Sequence, residues 1–175
     1  GLIIGVPAAR KVQMTNMPKL TTLAAVLPYA DVCTHLTQMT SLEELILDVK
    51  TVRGLQDLSH LTQLMDLNMK ASTGMARLSK HLTGLRSLTE LRWRSGGDTH
   101  TLPGGDWLHS LRRMSMPPAV FQNSMNDLLR DATHLRTVQV YRASSPALQH
   151  KFDDWLHGVR AYMRECSDCI PFDIQ

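Results

Sequence analysis

The chain has 175 residues, with 19 lysines and arginines against 16 acidic residues, a formal net charge of +3, and 43% hydrophobic and 20% charged residues. That balance suits one domain with its own core and excludes a disordered chain, and the small net charge excludes a globally basic nucleic-acid binder. Aromatic residues make up only 5%, so the core has to be aliphatic, mainly leucine and methionine.

In chain order, the first element is "GLIIGV", a short apolar strand. It falls far below the roughly 18 residues of a membrane span, and it lacks the basic flank and cleavage site of a signal peptide. Leu2 and Ile4 stand 21 residues before Leu23 and Ala25. A bare apolar edge strand invites unwanted pairing, so more chain or a partner subunit is expected to cover it.

From there one phrase is written repeatedly. Leu36, Met39, Leu42, Leu45 and Leu47 are followed by Leu58, Leu61, Leu64, Leu67 and Met69, then by Leu82, Leu85, Leu88, Leu91 and Trp93. The spacing L-x-x-L-x-x-L-x-x-L-x-L extends upstream through Met14, Met17, Leu20, Leu23 and Ala25. Downstream it runs through Leu108, Leu111, Met114 and Met116, then Ala132, Leu135, Val138 and Val140. Its fourth column is Leu23, Leu45, Leu67, Leu91, Met114 and Val138, with steps of 22, 22, 24, 23 and 24 residues. The closing L-x-L has the period of a strand. A strand that short cannot bury its leucines alone, so neighbouring copies have to stack.

A fixed period carrying L-x-x-L-x-L resembles the leucine-rich repeat, in its short subclass. The resemblance covers nearly the whole chain. It implies an α/β fold: a curved solenoid of six to seven repeats over residues 1–143, the first incomplete. Parallel strands would line the concave face and short helices and turns the convex face. Helical turns are expected near 54–61, 76–83, 104–110 and 122–131, with less regular structure near 31–38. In "SSPALQHKFDDWLHGVRAYM", Ser145 is an N-cap candidate and Pro146 suits the first helical position. Leu148, Phe152, Trp155, Val159 and Tyr162 then share one face, which predicts a capping helix in the C-terminal unit, 144–175. The sequence departs from the family in one respect. The slot usually filled by a turn asparagine holds Pro28, Lys50, Ser72, Gly96, Ala119 and Ala143, so irregular loops are expected. The stretch "RSGGDTHTLPGGD" should be the most mobile.

The strand residues between the leucine columns define the inner face. It opens apolar, with Val26, Leu27, Ile46 and Val49, and turns acidic with Glu43, Glu44 and Asp48. Glu43 and Glu44, being neighbours, should point to opposite sides of a regular strand. The last three strands are basic: Arg92, Arg94, Arg112, Arg113, Arg136 and Arg142, with Tyr141 beside them and Glu90 as the opposing charge. Adjacent strands are about 4.8 Å apart, so these arginines form one patch. Guanidinium suits carboxylate and phosphate through bidentate bonds.

Other chemistry finds little support. Three cysteines, Cys33, Cys166 and Cys169, make no disulfide framework and point to a reducing compartment. Cys166-x-x-Cys169 is half of a zinc spacing with no second pair. The recurring His35, His60 and His81 fall on separate repeats and read as solvated turn residues. There is no phosphate loop and no nucleophile elbow, so no metal, cofactor or catalytic residue is assigned. The expected function is a non-catalytic protein–protein interaction module, a structural or scaffold subunit of a larger complex. It would bind an acidic partner through Arg92, Arg94, Arg112, Arg113, Arg136, Tyr141 and Arg142, with Val26, Leu27, Glu43, Glu44, Ile46 and Asp48 as a second contact area. The alternative is an RNA-contacting subunit of a ribonucleoprotein using the same arginines. The location expected is intracellular, cytoplasmic ahead of mitochondrial, with no membrane contact.

Overall fold

The computed structural model describes residues 1–5, 17–27, 36–51, 58–73, 75–95, 100–142, 146–165 and 173–175. Within these, the side chains of 3–5, 27, 37, 51, 77, 78, 95 and 162–165 lie outside the description.

Each L-x-L ending forms a strand. The strands are β1 (Leu2–Gly5), β2 (Thr22–Leu27), β3 (Glu44–Thr51), β4 (Asp66–Thr73), β5 (Glu90–Ser95), β6 (Arg113–Met116), β7 (Thr137–Val140) and the two-residue β8 (Asp173–Ile174). They form one sheet in sequential order, β1 to β8, and every pairing is parallel. The sheet is open, with β1 and β8 at its two ends.

The register follows the leucine columns. Leu2, Leu23, Leu45, Leu67, Leu91, Met114, Val138 and Ile174 occupy successive rungs of one line. Ala25, Leu47, Met69 and Trp93 form a second. From Leu23 onward both lines are buried in a single core.

Tight turns explain the spacing of three that precedes each strand. The Met39 N–H donates to the Leu36 carbonyl and Leu42 N–H to Met39. Leu61 donates to Leu58 and Leu64 to Leu61, and Leu85 and Leu88 repeat the pair with Leu82 and Leu85. An i→i+3 bond brings residues three apart onto the same side, so each turn drops the next leucine into the core.

The connecting helices are short early and long late. A 3₁₀ turn spans Leu36–Gln38, and α1 (Met75–Ser79) runs into a second 3₁₀ turn at Lys80–Gly84. Next come α2 (Trp107–Ser110), α3 (Pro118–Asp131) and α4 (Pro146–Glu165). The turns expected near 76–83 and 122–131 are therefore present. Near 104–110 only the last four residues are helical. Leu58 and Leu61 belong to turns rather than a helix, and 54–57 and 31–35 lie outside the described residues.

α3 buries Val120, Phe121, Ser124, Met125 and Leu128, a helical stripe facing the core. Its entry needs no amide cap: Pro118 takes the first helical position, where a missing N–H costs nothing. Of the slots where asparagine was absent, Lys50 and Ser72 are exposed strand residues and Ala119 lies in α3. Pro28, Gly96 and Ala143 lie outside the described residues.

α4 packs on α3 through three rings. Phe121 and Trp155 meet edge to face at 5.8 Å, Phe121 and Phe152 at 6.4 Å. Leu148 does not join this face as expected; it is 55% exposed. The buried stripe starts one turn later, at Phe152, and takes in Leu156. Ser145 and the Tyr162 side chain lie outside the described residues. Beyond α4 the chain returns to the sheet. β8 adds Ile174 to the core line, and Arg160 donates to the Ile174 carbonyl at 2.6 Å.

Residues 100–106 form neither helix nor strand, as an irregular loop should. They are nevertheless tied down. Buried His100 accepts a 2.9 Å bond from Trp93 Nε1, and Leu102 N–H donates to Ser124 Oγ at 2.8 Å. Gly105, at φ 124°, donates to Asp131 at 3.0 Å. Arg130 is clamped between Asp127 and Asp131. Hydrogen bonding to Arg130 holds the Asp131 carboxyl below its ordinary value.

Gly84 lies tight against Ser59 of the preceding turn. A Cβ there would collide with Ser59 Cβ and stand 2.7 Å from its Cα. Gly84→Ala should therefore lose about 1–3 kcal/mol, and Leu67→Ala, which empties a fully buried rung, about 2–5 kcal/mol. Gly158→Ala on α4, where a Cβ meets nothing, should gain about 0.5–1 kcal/mol. Urea unfolding of the three variants checks this order.

Candidate functional site

The exposed face of the sheet is built in rows, because every strand stands in register with the next. One row runs Thr22, Glu44, Asp66, Glu90, Arg113, Thr137 and Asp173. The next runs Ala24, Ile46, Asn68, Arg92, Ser115 and Gln139. A third runs Val26, Asp48, Lys70 and Arg94.

A further row comes from a repeated irregularity at the strand entries. Glu43 and Glu44 both donate their N–H to the Thr21 carbonyl. Met65 and Asp66 share that of Glu43, Thr89 and Glu90 that of Met65. Arg112 and Arg113 share Thr89, and Arg136 and Thr137 share Arg112. Two residues thus face one, as in a β-bulge, and both reach the surface. The entry is therefore not the regular strand on which the opposite orientation of Glu43 and Glu44 depended; Glu43 is exposed and Glu44 half-buried. The added row is Glu43, Met65, Thr89, Arg112 and Arg136.

The arginines expected to act as one patch fall into different situations. Arg92 is a structural counter-ion. It bonds Glu90 at 2.6 Å and approaches Asp66 at 3.3 Å. Those two carboxylates sit side by side in the register. Burial lifts the Asp66 carboxyl above its ordinary value; Arg92 opposes the rise, and Glu90 and Glu44 add to it. Arg113 takes the second Glu90 oxygen at 3.0 Å but stays largely exposed. Arg94 lies over the Tyr141 ring, 5.1 Å from its centroid, and donates Nε–H to the phenolic oxygen at 3.2 Å. Arg112, Arg136 and Arg142 are exposed, and no carboxylate among the described residues pairs with them.

Asp66 was missing from the charge balance of the sequence reading. The signal was present: the constant period places Asp66 beside Glu90. At the other end, Val26 is 62% exposed, Ile46 is half-buried, and Asp48 pairs with Lys70 at 2.7 Å. Val49 is not on this face. It is 3% exposed, because β3 runs to Thr51 and its alternation continues past Asp48. The Leu27 side chain lies outside the described residues.

Among the described residues, no group of three His, Cys, Asp or Glu could hold a metal ion, and no helix is long and apolar enough to cross a membrane. His60 is exposed and His81 half-buried; His35, Cys33, Cys166 and Cys169 lie outside the description. No protein-family model matches the chain, and comparison with curated proteins finds no match.

Arg92→Leu leaves two adjacent, partly buried carboxylates uncompensated, so it should cost about 1–3 kcal/mol. Asp66→Asn tests the raised carboxyl. On acidification the folded protein takes up the Asp66 proton before the unfolded chain does. Wild type should therefore gain stability relative to Asp66→Asn as pH falls through the folded pKa. The gain should be complete below the ordinary value of 3.8. Urea midpoints of both proteins at neutral pH and at about pH 4 give the sign.

Proposed function

We propose that this chain is a leucine-rich-repeat protein and that its sheet face is a non-catalytic docking surface for another protein, as a scaffold or structural subunit of an intracellular complex. In this reading the eight strands line the concave side of a short solenoid. The repeated turns, the in-register leucine lines and the recurring double donation at each strand entry support a repeat fold, since each rung reuses the same geometry. A covering strand on the open edge of β1, from more chain or a partner subunit, belongs to the same proposal.

The observation that carries the functional reading is the grading of charge along one continuous surface. Val26 and Ile46 lead to Glu43, Glu44 and Asp48, and these lead to Arg94, Arg112, Arg113 and Arg136. An apolar patch flanked by separated acidic and basic groups suits a protein partner, whose surface offers all three kinds of contact. Glu44, Asp66 and Glu90 run through the middle of the face, and Tyr141 is occupied by Arg94. Both features disfavour the RNA reading, which calls for an unbroken cationic track and free aromatic rings.

Lysine-directed crosslinking in native extract, read by mass spectrometry, tests the surface. Lys50 and Lys70 lie on the sheet face, while Lys80 and Lys151 lie on the helical side. Crosslinks to another protein should concentrate on Lys50 and Lys70. Crosslinks confined to Lys80 and Lys151 would place the partner elsewhere and end the proposal.

A further inference from the structure

Arg112 and Arg136 stand at the same position on adjacent strands. The register pairs Arg113 with Thr137, and the Arg136 N–H donates to the Arg112 carbonyl at 2.9 Å. Their backbones are thus one strand spacing apart, about 4.8 Å. Both side chains are exposed. Like charges directly opposite each other on neighbouring strands repel and destabilise the sheet.

Three other cations on this face are engaged by carboxylates, whereas Arg94 lies on Tyr141 and Arg142 is exposed without an ion pair among the described residues. Arg92 holds Glu90 and Asp66, Arg113 holds Glu90, and Lys70 holds Asp48. Arg112 and Arg136 form no ion pair with a described residue. The nearest carboxylate in their own row is Glu43, three strands from Arg112, or about 14 Å. In the adjoining row Glu90 is only one strand from Arg112, but its two carboxylate oxygens are taken by Arg92 and Arg113. On the next strand, Asp173 accepts from the Gln175 side chain at 2.9 Å and makes no ion pair with Arg136 within 4.0 Å.

We infer that Arg112 and Arg136 form a paired receptor for side-chain carboxylates of an acidic segment on the partner protein, with Arg113 at its flank. This rests on the sheet-face reading above. The chemistry follows from the residues: two guanidiniums on adjacent strands can each take a carboxylate through charge-assisted bonds, and binding relieves their repulsion. The size of the spot selects the partner. It is two strands wide, with Glu90 on one side and Asp173 on the other. One or two carboxylates fit such a spot, whereas a nucleic-acid backbone would run onto the flanking acids.

The test compares Arg112→Gln, Arg136→Gln, the double variant and Arg86→Gln, an exposed arginine on a turn away from this face. Thermal unfolding is followed at low and high salt. Fluorescence anisotropy measures binding of a labelled peptide of alternating Glu and Asp, and of a single-stranded oligouridine of equal charge. Each single face variant should raise the melting temperature of the free protein at low salt. The gain should shrink at high salt, and the second substitution should add less than the first. Each should weaken peptide binding about tenfold, as expected for one lost charge-assisted contact, while Arg86→Gln binds as wild type does. The peptide should bind more tightly than the oligouridine.

Lower melting temperatures in both single variants would reveal intramolecular partners and overturn the inference. So would wild-type peptide binding by the double variant, or tighter binding of the oligouridine. If the double variant binds the peptide normally while native crosslinks stay on Lys50 and Lys70, the arginine pair is refuted and the sheet-face reading survives. Crosslinks that leave the sheet face refute that reading itself.

Discussion

A backbone turn closed by an N–H bonded to the carbonyl three residues back governs how this chain is spaced. Two such turns in succession carry it from Leu36 to Leu42, from Leu58 to Leu64 and from Leu82 to Leu88, and a strand begins shortly after each pair. Because every turn drops a leucine inward, the strands start from equivalent places and pair in register. The core is therefore a set of straight lines rather than an irregular cluster. Parallel pairing makes the opposite surface equally ordered: whatever lies between two leucines in one copy stands beside its counterpart in the next. The charge pattern of the exposed face thus follows from the same turns that build the interior.

This regularity is why so much of the fold could be read from residue types alone. The columns Leu23 to Val138 became neighbouring rungs, and Trp93, the one aromatic in its line, is buried as an apolar residue there should be. The misreadings have local causes. Val49 was assigned to the surface because L-x-L ends at Leu47, but pairing with Ala71 extends β3 and its alternation. Leu148 has helical spacing with Phe152, yet spacing cannot tell how far a helix overhangs its neighbour. β8 was illegible because two residues have no period; only the position of α4 brings Ile174 back to Val138. The strand entries were misread because alternation assumes one residue per rung, and here two N–H groups share a carbonyl. Asp66 shows a different limit. Its row was implied by the period, but ion pairing depends on side-chain reach, which a spacing rule does not carry.

The charged residues then divide by what surrounds them. Arg92 lies between two carboxylates that would otherwise repel each other in a half-buried setting, so it serves the fold first. Arg130 does the same on the helical side, holding Asp131 where it receives the Gly105 N–H. Arg94 is steered by Tyr141. Toward β6 and β7, Arg112 and Arg136 stand without an ion-pair partner among the described residues, in the row added by the doubled strand entry. A basic patch counted from sequence is thus larger than the set of arginines left without an ion pair among the described residues.

The energies allow this arrangement. Burying one leucine contributes about 1.5–3 kcal/mol, and the two lines hold many such residues, whereas a like-charge pair on an exposed face costs only about 0.2–1 kcal/mol. A core built from repeated, interchangeable rungs can tolerate that cost on one rung without losing the fold. Stability here is distributed along the ladder, while unfavourable charge is local.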